Sequence, residues 1–413
     1  MAYELLGKLY YKDQTLYAQT YKSRFEDKDT VKLNFTVSKK QAFFVQSNEI
    51  YKLAYDIAKL DKAVTQLSMK LPGIAREQYS KKCLIDEIVL TNKIEGVHSS
   101  RKEIAEALDI LNKQSNEKGK QQRFVGMVNR YFRLLYHEEI PLSTCQDIRR
   151  VYDEIVLDEV LAENPKNVPD GMLFRKDQSS VYNEAEKEIH KGAYPESDII
   201  ALMEKALAFF NDSSVEKLFR VCVFHYLLEY IHPFYDGNGR LGRFILSYSL
   251  SDILDPLLSY RLSETIKENI ADYYKAFKIC NEPKNLGDLT PFLVMLLKMI
   301  YNSLEHLRTS LEQKLISLNK YHSLIEELAP NEAKVLNMYS CLIQAALFSE
   351  GGISTKELMS VSDESYYTVK KTLNKINADM LVVKNSGSTK LYQLDLSVLD
   401  NYILDRELKK AEQ

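Results

Sequence analysis

No glycine-rich phosphate loop of the Gly-x-x-x-x-Gly-Lys kind occurs in these 413 residues, which excludes the P-loop way of holding a nucleotide. No internal repeat or low-complexity tract stands out, so a solenoid is excluded as well. No stretch reaches the roughly 18 apolar residues of a membrane helix. The amino-terminal MAYELLGKLYYKDQ lacks a basic segment followed by an apolar core. No membrane partner is expected. Cysteines are few and scattered (Cys83, Cys145, Cys222, Cys280, Cys341), odd in number and without metal-ligand spacing. Reduced thiols in a cytoplasm suit them better than a disulfide framework, and a cytoplasmic protein is the expectation. Charge is nearly balanced at −3, so nothing drives the chain as a whole toward nucleic acid. Tryptophan is absent while tyrosine is frequent; no function follows from that. What remains is 45% hydrophobic and 27% charged, enough to bury a core in two or three domains.

Most of the chain has helical spacing. Residues 1 to about 45 are the exception: they alternate apolar and polar and hold Tyr, Thr, Val and Phe. The pattern predicts short strands or a hairpin over 8–25 and 31–38. From about 47, Ile50, Leu53, Ile57, Leu60 and Val64 share one helical face. Pro72-Gly73 breaks the run, and a further helix ends near Glu95. Ser99 or Ser100 caps the next, with Glu103 placed for a capping box. Residues 164–197 carry Pro, Gly and polar side chains, with a short hairpin predicted within 172–183. Helices resume at about 198 and lead to residue 231. The run 287–321 is one long amphipathic helix, free to pack on its own domain or on a second subunit of a homodimer.

The densest chemistry lies in His232-Pro-Phe-Tyr-Asp-Gly-Asn-Gly-Arg-Leu-Gly-Arg243. Pro233 disfavours helix for His232 and ends the apolar run there. Gly237 and Gly239 let the loop turn its N–H groups toward an anion. The segment from Arg240 reads as a helix whose start faces the same loop, a natural anion site. Asp236 offers a hard oxygen of the kind Mg²⁺ prefers. Arg240 and Arg243 are three apart and share a helix face, so both can hold phosphate oxygens. His232 is the nearby group able to accept a proton near neutral pH. Elsewhere, Thr91 and Glu95 are four apart on one helical face, with Gly96 next.

The first segment resembles the Fic-family signature, His-Pro-Phe-x-[Asp/Glu]-Gly-Asn-Gly-Arg-x-x-Arg, at every fixed position. The second resembles that family's inhibitory motif, [Ser/Thr]-x-x-x-Glu-[Gly/Asn], in the subclass that carries it on an amino-terminal helix. The likeness covers roughly residues 45 to 300. It implies a mainly α fold, a Fic-type helical bundle with a β-hairpin flap that holds a target's extended segment. It also implies a protein adenylyltransferase that moves AMP from ATP to a hydroxyl of a target protein or of itself. By the same resemblance, His232 is the base and Asp236 holds Mg²⁺. Gly237, Asn238 and Gly239 form the anion hole, with Arg240 on the triphosphate and Arg243 on its γ end. Tyr274 and Asn281 line the adenosine pocket, and Glu95 blocks the γ position by pairing with Arg243. Phosphorylating relatives have Lys where this chain has Gly237, which favours nucleotidyl transfer. Removal of AMP from a modified protein, with Glu95 positioning water, is the alternative on the same residues.

The implied division is a strand-containing segment 1–46 and a catalytic domain 47–300 with an inhibitory helix at about 80–96 and a flap at about 171–197. A linking helix 301–329 and a last domain 330–413 follow. In that last domain, helix–helix–helix–hairpin resembles a winged helix-turn-helix, the hairpin turning at Asn385-Ser-Gly387. DNA contact through Lys370, Lys371 and Lys375, within a nucleotide-sensing regulator, is one reading. A protein-interaction module is the other, since the domain is near neutral.

Overall fold

The computed structural model describes residues 3–113, 123–134, 138–182, 188–328, 332–386 and 389–411. The fold is mainly helical. It begins with α1 (Leu6–Lys12) and α2 (Gln14–Glu26), where the sequence pattern suggested strands over 8–25. Asp13 starts the second helix by accepting from the N–H groups of Thr15 and Leu16. Only Leu6 and Leu9 of α1 are buried, and α2 buries nothing. The tyrosines of these helices therefore lie on helix surfaces, and none occupies a place on a pleated, half-buried strand. The hairpin follows as β1 (Thr30–Val37) and β2 (Lys40–Val45), antiparallel, with Leu33, Phe35 and Val37 turned inward.

Next come α3 (Asn48–Met69), α4 (Gly73–Ile94) and α5 (Arg101–Lys113). Helix α4 starts earlier than the expected 80. The α5 cap is the capping box foreseen: Glu103 N–H donates to Ser100 Oγ at 3.2 Å, and Ser100 N–H to Glu103 Oε2 at 2.8 Å. Then follow α6 (Val125–Leu134), α7 (Cys145–Ile155) and α8 (Leu157–Glu163). A two-stranded flap comes next, β3 (Ser180–Tyr182) antiparallel to β4 (Glu188–Lys191). It lies a little beyond the predicted 172–183, because residues 171–174 are held in a bend instead. There the Glu196 carboxylate accepts from the N–H groups of Met172, Leu173 and Phe174.

Helices α9 (Glu196–Phe210), α10 (Lys217–Ile231), α11 (Asn238–Ser251), α12 (Leu262–Glu268), α13 (Ile270–Asn281) and α14 (Thr290–Leu328) complete this part. Every residue of α11 is buried, including Arg240 and Arg243. A helix buried on all sides is ordinarily apolar throughout. Two arginines inside one require anionic or acceptor partners.

The chain forms two compact units, residues up to 61 with 84–305, and residues 62–83 with 306–413. The borders fall inside α3, α4 and α14. The hairpin before residue 46 belongs to the first unit. The second contains α15 (Ala333–Phe348), β5 (Ile353–Ser354), α16 (Thr355–Ser362), α17 (Tyr366–Leu373), β6 (Leu381–Ser386), β7 (Thr389–Leu394) and α18 (Leu396–Ala411). Strand β7 pairs with both β6 and β5. The residue at the hairpin turn, Gly387, lies outside the described residues. Lys370 donates to Tyr392 Oη at 2.6 Å and Lys375 pairs with Glu332 at 2.6 Å, so both are engaged within the unit. Among the described residues no helix is long and apolar enough to cross a membrane.

Candidate active site

Helix α10 ends at His232, which takes a left-handed conformation (φ 51°, ψ 62°) while its N–H still donates to Leu228 O. Such a backbone costs a non-glycine residue about 1–2 kcal/mol and is held only where surroundings over-determine it. Here Pro233 stops the helix and Arg175 fixes the carbonyl. The buried Arg175 guanidinium donates from Nε to His232 O at 3.0 Å, from Nη2 to Ala193 O at 2.7 Å and from Nη1 to Asp177 O at 2.6 Å. The His232 Nδ1 is buried without a hydrogen-bond partner among the described residues, and the Glu229 backbone lies near the ring. Burial, with His190 and Arg175 nearby, holds the imidazole well below its usual pKa. The ring is therefore neutral at pH 7 and able to take a proton.

The loop after His232 is closed by Asn238. Its side chain accepts from Phe234 N–H at 3.0 Å and donates to Phe234 O at 2.8 Å. Asn238 thus shapes the loop through both amide atoms. Phe234 stacks on Tyr152 at 3.6 Å, and Tyr152 Oη donates to Asp236 O. Gly237 caps α11 with φ 81°, and a Cβ there would lie 2.6 Å from Val156 Cγ1. Gly237→Ala is expected to destabilise the fold by about 1–3 kcal/mol through backbone strain and overlap together. Denaturant unfolding checks this; an unchanged midpoint would show the loop to be more plastic.

At the start of α11 the charges converge. Arg243 donates from Nε to Thr91 Oγ1 at 2.8 Å and from Nη2 to Thr91 O at 3.1 Å, and Nη2 pairs with Glu95 Oε1 at 2.8 Å. Burial works against this guanidinium's charge, but Glu95, Tyr273 and Glu229 outweigh it and raise the pKa further. The Glu95 carboxylate lies against the α11 backbone, so that a Cβ on Gly239 would overlap it. It occupies the place where helix N–H groups and Arg243 would together meet an anion. Arg240 reaches Asp236 Oδ1 only at 3.5 Å, and its buried Nε and Nη1 have no partner among the described residues. Buried open donors of this kind suit phosphate oxygens. Behind Arg243, burial first and Glu95 second push the Glu229 carboxyl up to about 8, so it is neutral at pH 7.

On α13, Asn281 Oδ1 accepts from Tyr226 Oη at 2.6 Å, and Tyr274 is half exposed beside Tyr273. His225 is a packed histidine: its Nε2 meets Tyr273 Oη at 2.7 Å and burial pushes it down to about 3. The structure brings His232, Asp236, Gly237, Asn238, Gly239, Arg240, Arg243 and Glu95 to one place. The sequence pattern singled out none of Arg175, His190 and Glu229.

Residues 142–250 match the family model described as Fic/DOC family. The protein adenylyltransferase fic-1 of Caenorhabditis elegans is 25% identical over 197 residues, 46% of this chain and 36% of that protein. Protein adenylyltransferase Fic of Drosophila erecta is 31% identical over 99 residues, 23% of this chain and 18% of that protein. The chain thus spans little more than a third of the length of the first of these relatives, and less of the second. A solved Fic family protein from Desulfovibrio desulfuricans G20 shares the fold, with a TM-score of 0.51 at 20% identity, covering 85% of this chain and 97% of that one. The Fic/DOC match thus lies at residues 142–250 and contains the loop from His232 to Arg243.

Proposed function

We propose that the protein transfers AMP from ATP to a hydroxyl side chain of a protein, and that Glu95 holds it in check. The observation that carries this reading is the Glu95–Arg243 pair at the start of α11, a carboxylate standing where a terminal phosphate would be held. The relatives named protein adenylyltransferases support the reaction class. The target hydroxyl oxygen attacks the α-phosphorus, and its proton passes to His232 Nε2. The bond from the α-phosphorus to the bridging oxygen breaks, and pyrophosphate leaves. The N–H groups of Gly237 to Gly239 and the open donors of Arg240 stabilise charge that builds on phosphate oxygens. Arg243 orients the γ end once Glu95 withdraws.

Among the described residues no cluster of three His, Cys, Asp or Glu could hold a metal by itself. Asp236 is a partly exposed single carboxylate, which fits Mg²⁺, an ion that keeps most of its waters and is shared with substrate phosphates. When bound, the ion would neutralise phosphate charge. Asp236→Ala is expected to lose metal-dependent activity, with partial rescue at high Mg²⁺ or Mn²⁺. An unchanged metal titration would remove Asp236 as a ligand. The reaction itself is tested by mass spectrometry of a cell lysate incubated with isotope-labelled ATP and Glu95→Gly protein. AMP-bearing peptides that need His232 support the reading; their absence, from lysate proteins and from the protein itself, counts against it.

A further inference from the structure

His190 lies on β4, the second strand of the flap, and no step above uses it. Its Nε2 is 2.7 Å from the backbone carbonyl of Tyr230 on α10. Its Nδ1 is 3.4 Å from Asn281 Nδ2 on α13. A carbonyl can only accept, so Nε2 carries the hydrogen. Neutral imidazole then has an acceptor at Nδ1, and the amide of Asn281 must present N–H to it. Tyr226 Oη, donating to Asn281 Oδ1 at 2.6 Å, is consistent with that amide orientation. The hydrogen bonds are mutually consistent from Tyr226 through Asn281 and His190 to Tyr230, and the carbonyl end fixes the direction of the chain.

We infer that His190, as the neutral Nε2–H tautomer, is the positioning residue that moors the flap to α10 and α13. The mooring is next to the chemistry. Just after β4, Gly192 N–H donates to Ser179 O and Ala193 N–H to Ile231 O, the residue before His232. A Cβ on Gly192 would lie 3.0 Å from His232 Cβ. The flap's height over the base is therefore set where β4 is tied down. That this height matters for a target segment rests on the proposed AMP transfer; the mooring does not.

Doubly protonated His190 would turn an N–H toward the N–H of Asn281 and break the chain. Facing His190 are Arg175 and His232 from the loops, Tyr230 from α10, Asn281 from α13 and Glu188 from its own strand. Burial first, then Arg175, lowers its pKa from the usual 6.5, against the pull of the Tyr230 carbonyl and Glu188. The sign follows: the mooring is complete above about 6.5 and is lost as pH falls through the lower folded value.

Hydrogen exchange at Gly192 and Ala193, corrected for intrinsic rates, tests this without ATP or target. One hydrogen bond in a network is worth about a ten-fold change in such an equilibrium. Wild type is expected to lose protection below about pH 6.5. Asn281→Ala and His190→Phe should each lose about ten-fold at pH 7.5, and the double variant no more than His190→Phe alone. His190→Gln, which keeps a donor toward Tyr230 O, should retain part of the protection and show no pH dependence. The ¹⁵N shifts of the wild-type ring should report the Nε2–H tautomer, a readout that no folding failure of a variant can obscure. An Nδ1–H tautomer, or Asn281→Ala protected like wild type, would overturn the inference. Labelling with ATP tests the transfer reaction separately, so either reading can fail alone.

Discussion

Replacing His232 with alanine is expected to lower AMP transfer by about 10²–10⁴-fold, the usual worth of a positioned general base. ATP binding should be nearly unchanged, because the groups that meet phosphates are on α11 and in the loop before it. The fold should persist as well. The His232 carbonyl still accepts from Arg175, and its N–H still donates to Leu228, whatever the side chain. The left-handed backbone suits alanine a little less well than histidine, but Arg175 and Pro233 still hold it. The ring, by contrast, is held neutral chiefly by burial, with the Arg175 guanidinium nearby, so its loss removes a base already in the unprotonated form. Transfer kinetics and ATP titration calorimetry on the same preparation separate the two effects. Full activity in His232→Ala would end this mechanism.

The second large effect is expected at Glu95. Glu95→Gly removes the carboxylate from the start of α11 and frees Arg243 for a γ-phosphate. Truncating one partner of a partly desolvated charge pair is worth about 2–5 kcal/mol, so self-labelling should rise ten-fold or more. The Glu95 side chain is 25% exposed and that of Arg243 only 2%, so the carboxylate is the partner able to withdraw into solvent. Arg243 has a further tie, since Thr91 accepts from it through both side chain and backbone, and it should hold its place when Glu95 is gone. Arg243→Ala should not mimic activation, because it deletes the phosphate's partner too. The double variant should be as inactive as Arg243→Ala alone. Equal labelling of wild type and Glu95→Gly would leave Glu95 without an inhibitory role.

Much of the site was legible because its chemistry is contiguous. Twelve residues carry a base, a hard oxygen, two turn glycines and two arginines, and each type has few other uses at that spacing. The pairing of Glu95 with Arg243 was legible only through family resemblance. Thr91 and Arg243 are 152 residues apart, and a carboxylate at a helix end names no partner. Arg175 and His190 were silent for a different reason: their partners include backbone carbonyls, which every residue offers. Asn238 was read as part of the anion hole; its side chain also holds the loop through the backbone of Phe234, which the sequence did not suggest. The amino-terminal tyrosines misled because β-propensity measures a fit to a pleated face, and helices α1 and α2 offer none. Helix α11 gave no hint of complete burial, since its arginines and serines interrupt the apolar residues.

The most direct test uses ATP labelled at the α-phosphate in one reaction and at the γ-phosphate in another. Each is incubated with wild type, Glu95→Gly and Glu95→Gly/His232→Ala protein, and the label bound to protein is read on a gel. AMP transfer under Glu95 control requires α-label on Glu95→Gly at ten times the wild-type level or more, none from the γ-position, and almost none without His232. Protein-bound γ-label would make the reaction phosphoryl transfer, and α-label that persists in the His232 variant would contradict the assignment of the base.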